Sequence, residues 1–219
     1  MNISKSLDVS IIVISILITS SCSGGSRDQD GNRFKTVKIG KQEWMAENLT
    51  VSHFRNGDVV PEATNEAEWR MMGEEGKPAW CVGLNNPDNG KKYGKLYNWY
   101  AVNDPRGLAP EGWHIPTDEE WTQLTNFLGG EVAAAFRMRT TGYSDGKNDQ
   151  DKNSFQGLPG GGCNEKGLFF GIGSHSYWWS DTEINASSAW CRLLNYISCN
   201  VYTLPSSKLS GFSVRCLKN

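Results

Sequence analysis

The sequence predicts an α+β fold, and three observations lead to it. Helical signals sit in the middle of the chain, short strand-like stretches occupy both ends, and 24 glycines with eight prolines supply tight turns between them. The 219 residues fit one domain of about 180 residues plus a lead segment. A domain of that size buries roughly 70% of its unfolded surface and needs neither metal nor disulfide to fold. Hydrophobic residues at 38% and charged residues at 21% are those of an ordinary globule, but nine Trp, eight Phe and seven Tyr make it aromatic-rich. Net charge is -2 with no block of one sign, which argues against a nucleic-acid surface and its basic stripe.

The chain opens with Lys5 ahead of an apolar run from Val9 to Ile18, interrupted only by Ser10 and Ser15. About ten apolar residues are too few to span a bilayer and suit the core of a signal peptide. Thr19, Ser20 and Ser21 then lead into Cys22, whose thiol can take a diacylglycerol thioether before cleavage. This resembles the relaxed bacterial lipoprotein signal seen in Bacteroidetes, with Thr19 where Leu is usual. The expected division is a signal peptide over 1–21, a lipidated Cys22 with a flexible Gly-rich tether to 33, and a domain over 34–219.

Phe34 to Ile39 alternates, and Gly40-Lys41-Gln42 turns it into Glu43-Trp44-Met45, a β-hairpin. Thr64 or Asn65 caps a short helix through Glu66, Glu68 and Trp69, ended by Gly73. Asn85 to Lys92 is dense in turn formers and reads as a loop. The clearest local signal is Pro116-Thr117-Asp118-Glu119-Glu120, where Thr117 and Glu120 make a capping box and the acids suit the helix dipole. Trp121, Leu124 and Phe127 or Leu128 give that helix its buried stripe, and Gly129-Gly130 stops it. A second helix runs from about Glu131 to Arg137. Asp145 to Asn153 is a polar loop, and Gly157 to Gly162 is compact and turn-rich. Ala189 to Leu194, Asn200 to Leu204 and Phe212 to Leu217 are short strands, so the two ends of the domain should meet in one sheet.

Six stretches together resemble one family. They are Ile39 to Leu49, Tyr93 to Val102, Gly112 to Trp121, Gly157 to Gly161, Tyr177 to Ser180, and Gly211 to Cys216. The resemblance is to the Fibrobacter succinogenes major paralogous domain, common in surface lipoproteins of Bacteroidetes and Fibrobacteres, and it spans Val37 to Lys218. More distantly, Pro116-Thr117 with Glu120-Trp121, followed by Gly211-Phe212 and Val214, resembles the formylglycine-generating and sulfatase-modifying group. That likeness implies a C-type-lectin-like α+β architecture. Relatives often carry Cys where this chain has Ala109, so any bridge from that position, to Cys216 or elsewhere, is absent or rerouted here.

Export favours disulfides, and the five cysteines after Cys22 leave at least one thiol over. Cys191 and Cys199 flank a hairpin near Asn195-Tyr196 and are the pair expected from proximity, while Cys81, Cys163 and Cys216 stay unapportioned. Zinc lacks a Cys-x-x-Cys or clustered His, and His114 at the helix start reads as a backbone-bonded imidazole. Asp145, Asp149, Asp151 and Asn153 alternate like calcium ligands, yet Ser154 and Gly160 stand where an EF-hand loop needs Gly and Glu. No cofactor is therefore expected, with calcium as the one alternative.

The expectation is a non-enzymatic, lipid-anchored surface protein that binds a glycan or an envelope protein, touching the membrane only through its anchor. The face expected to do so is the C-terminal hairpin, with Trp178, Trp190, Arg192, Asn195, Tyr196 and Tyr202 as ligand-binding residues. Trp and Tyr faces stack on sugars, although most tryptophans of such a domain belong to its core. Alternatives are a structural or adhesin component of a surface assembly, or an enzyme related to the sulfatase-modifying group.

Overall fold

In the computed structural model, which describes residues 26–139 and 155–219, the chain builds a mixed α+β domain. In order, the elements are β1 (Thr36–Ile39), β2 (Gln42–Met45), α1 (Glu66–Glu74), β3 (Trp80–Cys81), α2 (Pro87–Tyr93), β4 (Leu96–Tyr97), α3 (Trp99–Val102) and β5 (Trp113–His114). There follow α4 (Asp118–Phe127), α5 (Glu131–Met138), β6 (Gly160–Cys163), β7 (Phe169–Ile172), β8 (His175–Asn185), β9 (Ser188–Asn195), β10 (Asn200–Ser207) and β11 (Leu217–Lys218). The signal-peptide stretch, Cys22 and the Asp145–Asn153 loop lie outside the described residues.

The two ends of the domain share a sheet of order β1-β2-β11-β5, in which Leu217 pairs with Trp44 on one side and His114 on the other. The larger sheet runs β10-β9-β8-β6-β7, and β3-β4 forms a two-stranded piece. The large sheet has a core on each face. Alternation along β8 sends the neighbours Trp178 and Trp179 to opposite sides. Trp179 joins Cys191, Phe212, Val214 and Cys216 in the first core. Trp178 joins Trp44, Trp121, Phe155 and Leu194 in the second. There Trp121 lies 4.7 Å from Trp44 and 5.9 Å from Trp178, ring centre to ring centre, close enough for aromatic pairing beyond simple burial.

The capping box at α4 is complete: Thr117 Oγ1 accepts from the Glu120 amide at 3.2 Å, and Glu120 Oε2 accepts from the Thr117 amide at 2.9 Å. Trp121 and Leu124 are buried, and Leu128 rather than Phe127 completes the stripe, because Phe127 lies across the Gly40 turn and remains 63% exposed. Asn65 is the cap of α1, accepting from the Glu68 amide.

Several expectations need correction. Asn85 to Lys92 is not all loop: Asn86 caps Pro87–Tyr93 by accepting from the Asp88 amide at 3.0 Å, with Pro87 in the first turn, where a missing N–H costs nothing. The Gly-rich stretch after Pro159 is strand β6, and glycine is required there. A Cβ on Gly161 would meet Phe170 O at 2.2 Å. The 11-residue β8 escaped the pattern because Ser176 and Trp178 to Ser180 are buried on both faces, which erases polar alternation over its first half. Of Phe212 to Leu217, only Leu217 belongs to a regular strand, and Phe212 and Ser213 make single bridges.

The stretch expected to be a free tether is docked from residue 26 onward. Arg27 bridges Arg33 around a turn in which Asp28 accepts from the Asn32 amide at 2.9 Å. Gln29 Nε2 donates to His53 O at 2.8 Å and Leu108 O at 2.9 Å, and Asp30 Oδ1 lies 2.7 Å from His53 Nδ1.

Candidate functional site

A cleft of about 420 Å³ opens where the docked N-terminal segment, the chain leaving β2, the end of α2 and the C-terminal stretch converge. Asn32, Arg33 and Phe34 form one wall, Ala46 to Thr50 the next, Lys91 to Gly94 the third, and Gln156, Leu158 and Arg215 the base. Gly94 makes the junction possible. Its φ is +83°, and a Cβ there would lie 2.8 Å from Asn48 Cβ and 3.1 Å from Leu49 O. Only glycine lets the end of α2 abut the Asn48–Leu49 backbone.

Asn48 organises the base. Its Nδ2 donates to Tyr93 O at 2.8 Å and Ser213 Oγ at 3.2 Å. Its Oδ1 accepts from Trp178 Nε1 at 2.8 Å and from Arg215 Nη2 at 2.7 Å and Nε at 3.1 Å. Arg215 also donates to Phe155 O and stacks its guanidinium 4.2 Å from the Phe155 ring. Burial drives the Arg215 pKa below the usual arginine range. Among the described residues no carboxylate pairs with it, so neutral oxygens and ring faces hold the charge. The base is thus rigid and fully engaged. The rim is different: Arg33, Glu47, Lys91 and Lys92 are exposed, and Tyr93 is half-buried with Lys92 Nζ 4.8 Å from its ring centre. Lys91 Nζ is paired with Asp88 Oδ1 at 3.1 Å, which leaves Arg33, Glu47 and Lys92 as the exposed charges around the aromatic edge, a rim suited to a polar ligand. No thiol or imidazole is among the lining residues.

The residues expected to form a ligand face do not assemble into one. Trp178, with 0% exposure, is a pillar of the second core. Arg192 is 2% exposed and pins β9 to α4, pairing with the Asp118 carboxylate and donating to Asp118 O at 2.7 Å and Thr122 Oγ1 at 2.8 Å. Tyr196 is 4% exposed, its hydroxyl donating to Gly157 O and its ring 5.1 Å from the Arg139 guanidinium. Asn195 Oδ1 caps the β9–β10 turn, accepting from the Ile197 and Ser198 amides. Trp190 and Tyr202 are half-buried, but Trp190 pairs with Pro205 and Tyr202 with Leu193, so alternation puts them on opposite faces. The flaw in the expectation was to treat nearness along the hairpin as nearness on one face.

The Cys191–Cys199 pairing is also corrected. Cys191 lies inside the first core with its Sγ 3.1 Å from Ser206 Oγ, and Cys199 is half-exposed in the turn. Both are free thiols. Cys216, also free, shares the first core with Ala109, the position where a partner was missing from the sequence. Burial pushes the Cys191 thiol up to about 12 and Cys216 higher still, the opposite of what a nucleophile requires. The His114 expectation is corrected in its partners: the imidazole sits near the cap but bonds side chains, 3.0 Å from Glu120 Oε1 and 2.8 Å from Asn219 Oδ1, rather than backbone.

A second polar cluster lies beside the docked segment. Lys95 Nζ is 2.5 Å from Ser52 Oγ and sits 3.5 Å above the Trp80 ring, with desolvation lowering its pKa. The Ser52 amide is spent on Asp30 at 2.6 Å, so the cluster has no free donor there for an oxyanion. Its evident work is to hold residues 29–30 against the domain. Among the described residues, no group of three or more His, Cys, Asp or Glu could hold a metal. No helix among them is long and apolar enough to cross a membrane.

Glu47, Asn48, Tyr93 and Arg215 escaped the sequence reading as site residues. The available signal was Arg215 itself, a lone cation in an otherwise apolar stretch. The family model described as the Fibrobacter succinogenes major domain matches residues 37–218. No curated protein and no solved structure matches the chain.

Proposed function

This chain belongs to the Fibrobacter succinogenes major domain family, and we propose that it is a non-enzymatic, lipid-anchored surface module that binds a glycan in the cleft between Arg33, Glu47 and Tyr93. The observation that carries this reading is the cleft itself. Its base is fixed by the Asn48–Arg215 network and its rim exposes Arg33, Glu47 and Lys92, a division that favours recognition of a polar ligand. The export address at Cys22 and a lectin-like architecture belong to the same proposal. The buried cysteines with raised thiol pKa weigh against the sulfatase-modifying type of chemistry.

The full chain is screened against a glycan array and envelope extracts, with and without calcium. Saturable glycan binding, weakened about tenfold or more by Glu47→Ala or Lys92→Ala, supports the reading, since a hydrogen bond to a charged group is worth about 1.5–3 kcal/mol. Binding that survives both substitutions removes the cleft as the site. Calcium dependence would bring in the Asp145–Asn153 loop.

One feature favours a second reading, a structural component of a surface assembly. Val132 and Phe136 lie one helical turn apart on α5, and both are more than half exposed. Co-purification of envelope proteins that is lost in Phe136→Ser but kept in Glu47→Ala would support that role instead.

A further inference from the structure

Cys81 and Cys163 stand far apart in the chain and meet in the third core. Both are buried beside Ala63, Trp69, Ala79 and Leu96 as free thiols, and the neighbouring Cys163 thiol, together with burial, pushes the Cys81 thiol well up. The backbone fixes this meeting. Cys81 pairs with Leu96, Tyr97 with Phe212, and Gly211 with Cys163, each on adjoining extended segments. The ring closes where Gly83 approaches Gly160, a Cβ on Gly83 coming within 3.9 Å of Gly160 O. Gly211 has no side chain, and a Cβ there would crowd Cys163 Cβ at 3.1 Å and the Trp69 ring at 2.8 Å. The other thiols have different surroundings: Cys191 is engaged by Ser206, Cys216 lies in the first core, and Cys199 sits at the turn.

We propose that Cys81 and Cys163 are joined by a disulfide in the exported protein, closing a small ring of strands around the third core. In this reaction the two thiols surrender two protons and two electrons to a disulfide of the glutathione or oxidoreductase class. That disulfide leaves as two thiols after a mixed-disulfide intermediate. Because each cysteine is 2% exposed or less, the bridge forms while the chain folds and before the ring shuts. It closes a loop of about 80 residues, long enough to constrain the unfolded chain strongly.

The inference rests on the reading that the chain is exported, so the experiment separates chemistry from address. Full chain is reduced, denatured and refolded with oxidised and reduced glutathione, then alkylated in denaturant and mapped by proteolysis without reduction. The expected result is one cross-linked peptide pair holding Cys81 and Cys163, with Cys191, Cys199 and Cys216 alkylated. The bridged protein should melt on the order of 10 °C above the reduced one. That difference should vanish in Cys81→Ala/Cys163→Ala. Other pairings, complete alkylation, or no redox dependence of Tm would overturn the proposal. If the double variant does not fold, the wild-type peptide map still decides. A bridge that forms on refolding in a chain that cells retain in the cytosol would count against the address alone.

Discussion

Arg192 brings a full positive charge to the boundary between β9 and α4, and Asp118 is its only acidic partner among the described residues. The pair is asymmetric, with Arg192 2% and Asp118 29% exposed at the side chain. Removing the carboxylate therefore strands a buried cation, whereas removing the cation leaves an acid that water can reach. Asp118→Ala should cost about 2–4 kcal/mol in urea unfolding, and Arg192→Met distinctly less. Equal losses would mean that packing, not charge, dominates the contact. The buried thiols make a second prediction at this scale. Burial lifts Cys191 to about 12 and Cys216 further, against an unfolded value near 9. Above pH 9 the unfolded chain loses thiol protons that the folded chain keeps, so stability falls as pH rises, by about 1.4 kcal/mol per pH unit for each thiol. Tyr97, raised by complete burial, adds to the fall at higher pH, and Arg215, lowered by burial, opposes it. Cys191→Ala should flatten the slope of unfolding free energy between pH 9 and 11 by about one thiol's share, read from urea curves at successive pH values. An unchanged slope would remove Cys191 from the account.

Among the elements, those that announce themselves in sequence are those whose stability is local. Thr117 and Glu120 determine where α4 begins through two bonds that the neighbouring residues make among themselves. Thr117→Ala should lower stability by about 1–2 kcal/mol, visible as a fall in Tm of a few degrees. The hairpin β1–β2 was legible for the same reason, with alternation and a Gly-Lys turn in ten residues. What the sequence hid depends on distant partners. Strand β6 reads as a loop because its glycines answer to β7 and to Phe212 rather than to their own neighbours. Strand β8 loses its polar rhythm because both faces of its first half are covered. The cleft was hidden likewise, since Asn48, Tyr93 and Arg215 become a unit only when four segments meet. Two glycines separate the local from the distant cause. Gly161→Ala should disrupt the β6–β7 pairing outright, because backbone atoms occupy the space of its Cβ. Gly173→Ala, with nothing within 4 Å and a φ of +84°, should cost only about 1 kcal/mol of left-handed strain.

At the scale of the whole molecule, the sequence placed the boundary of the domain at residue 34, and the structure moves it outward. Polar, Gly-rich composition predicts a tether when the residues have nothing to bind. Here Gln29 finds two carbonyls, and Asp30 finds the Ser52 amide and His53. Lys95 supports that contact through Ser52. The docked segment also supplies Asn32 and Arg33 to the cleft, so the contact that holds it against the domain also shapes the cleft wall. A free tether would let the domain lose residues 26–33 without penalty. A docked one makes their loss felt twice, in the melting temperature and in ligand affinity. The truncation to Phe34 should therefore lower Tm by several degrees relative to a chain beginning at Ser26. It should also weaken glycan binding, while Asp30→Asn reproduces most of the first effect with a smaller share of the second. The contrast rests on what each change removes: Asp30 holds the segment in place, and Arg33 lines the cleft. If truncation leaves both Tm and affinity unchanged, the segment only rests on the domain, and the cleft is formed by three walls instead of four.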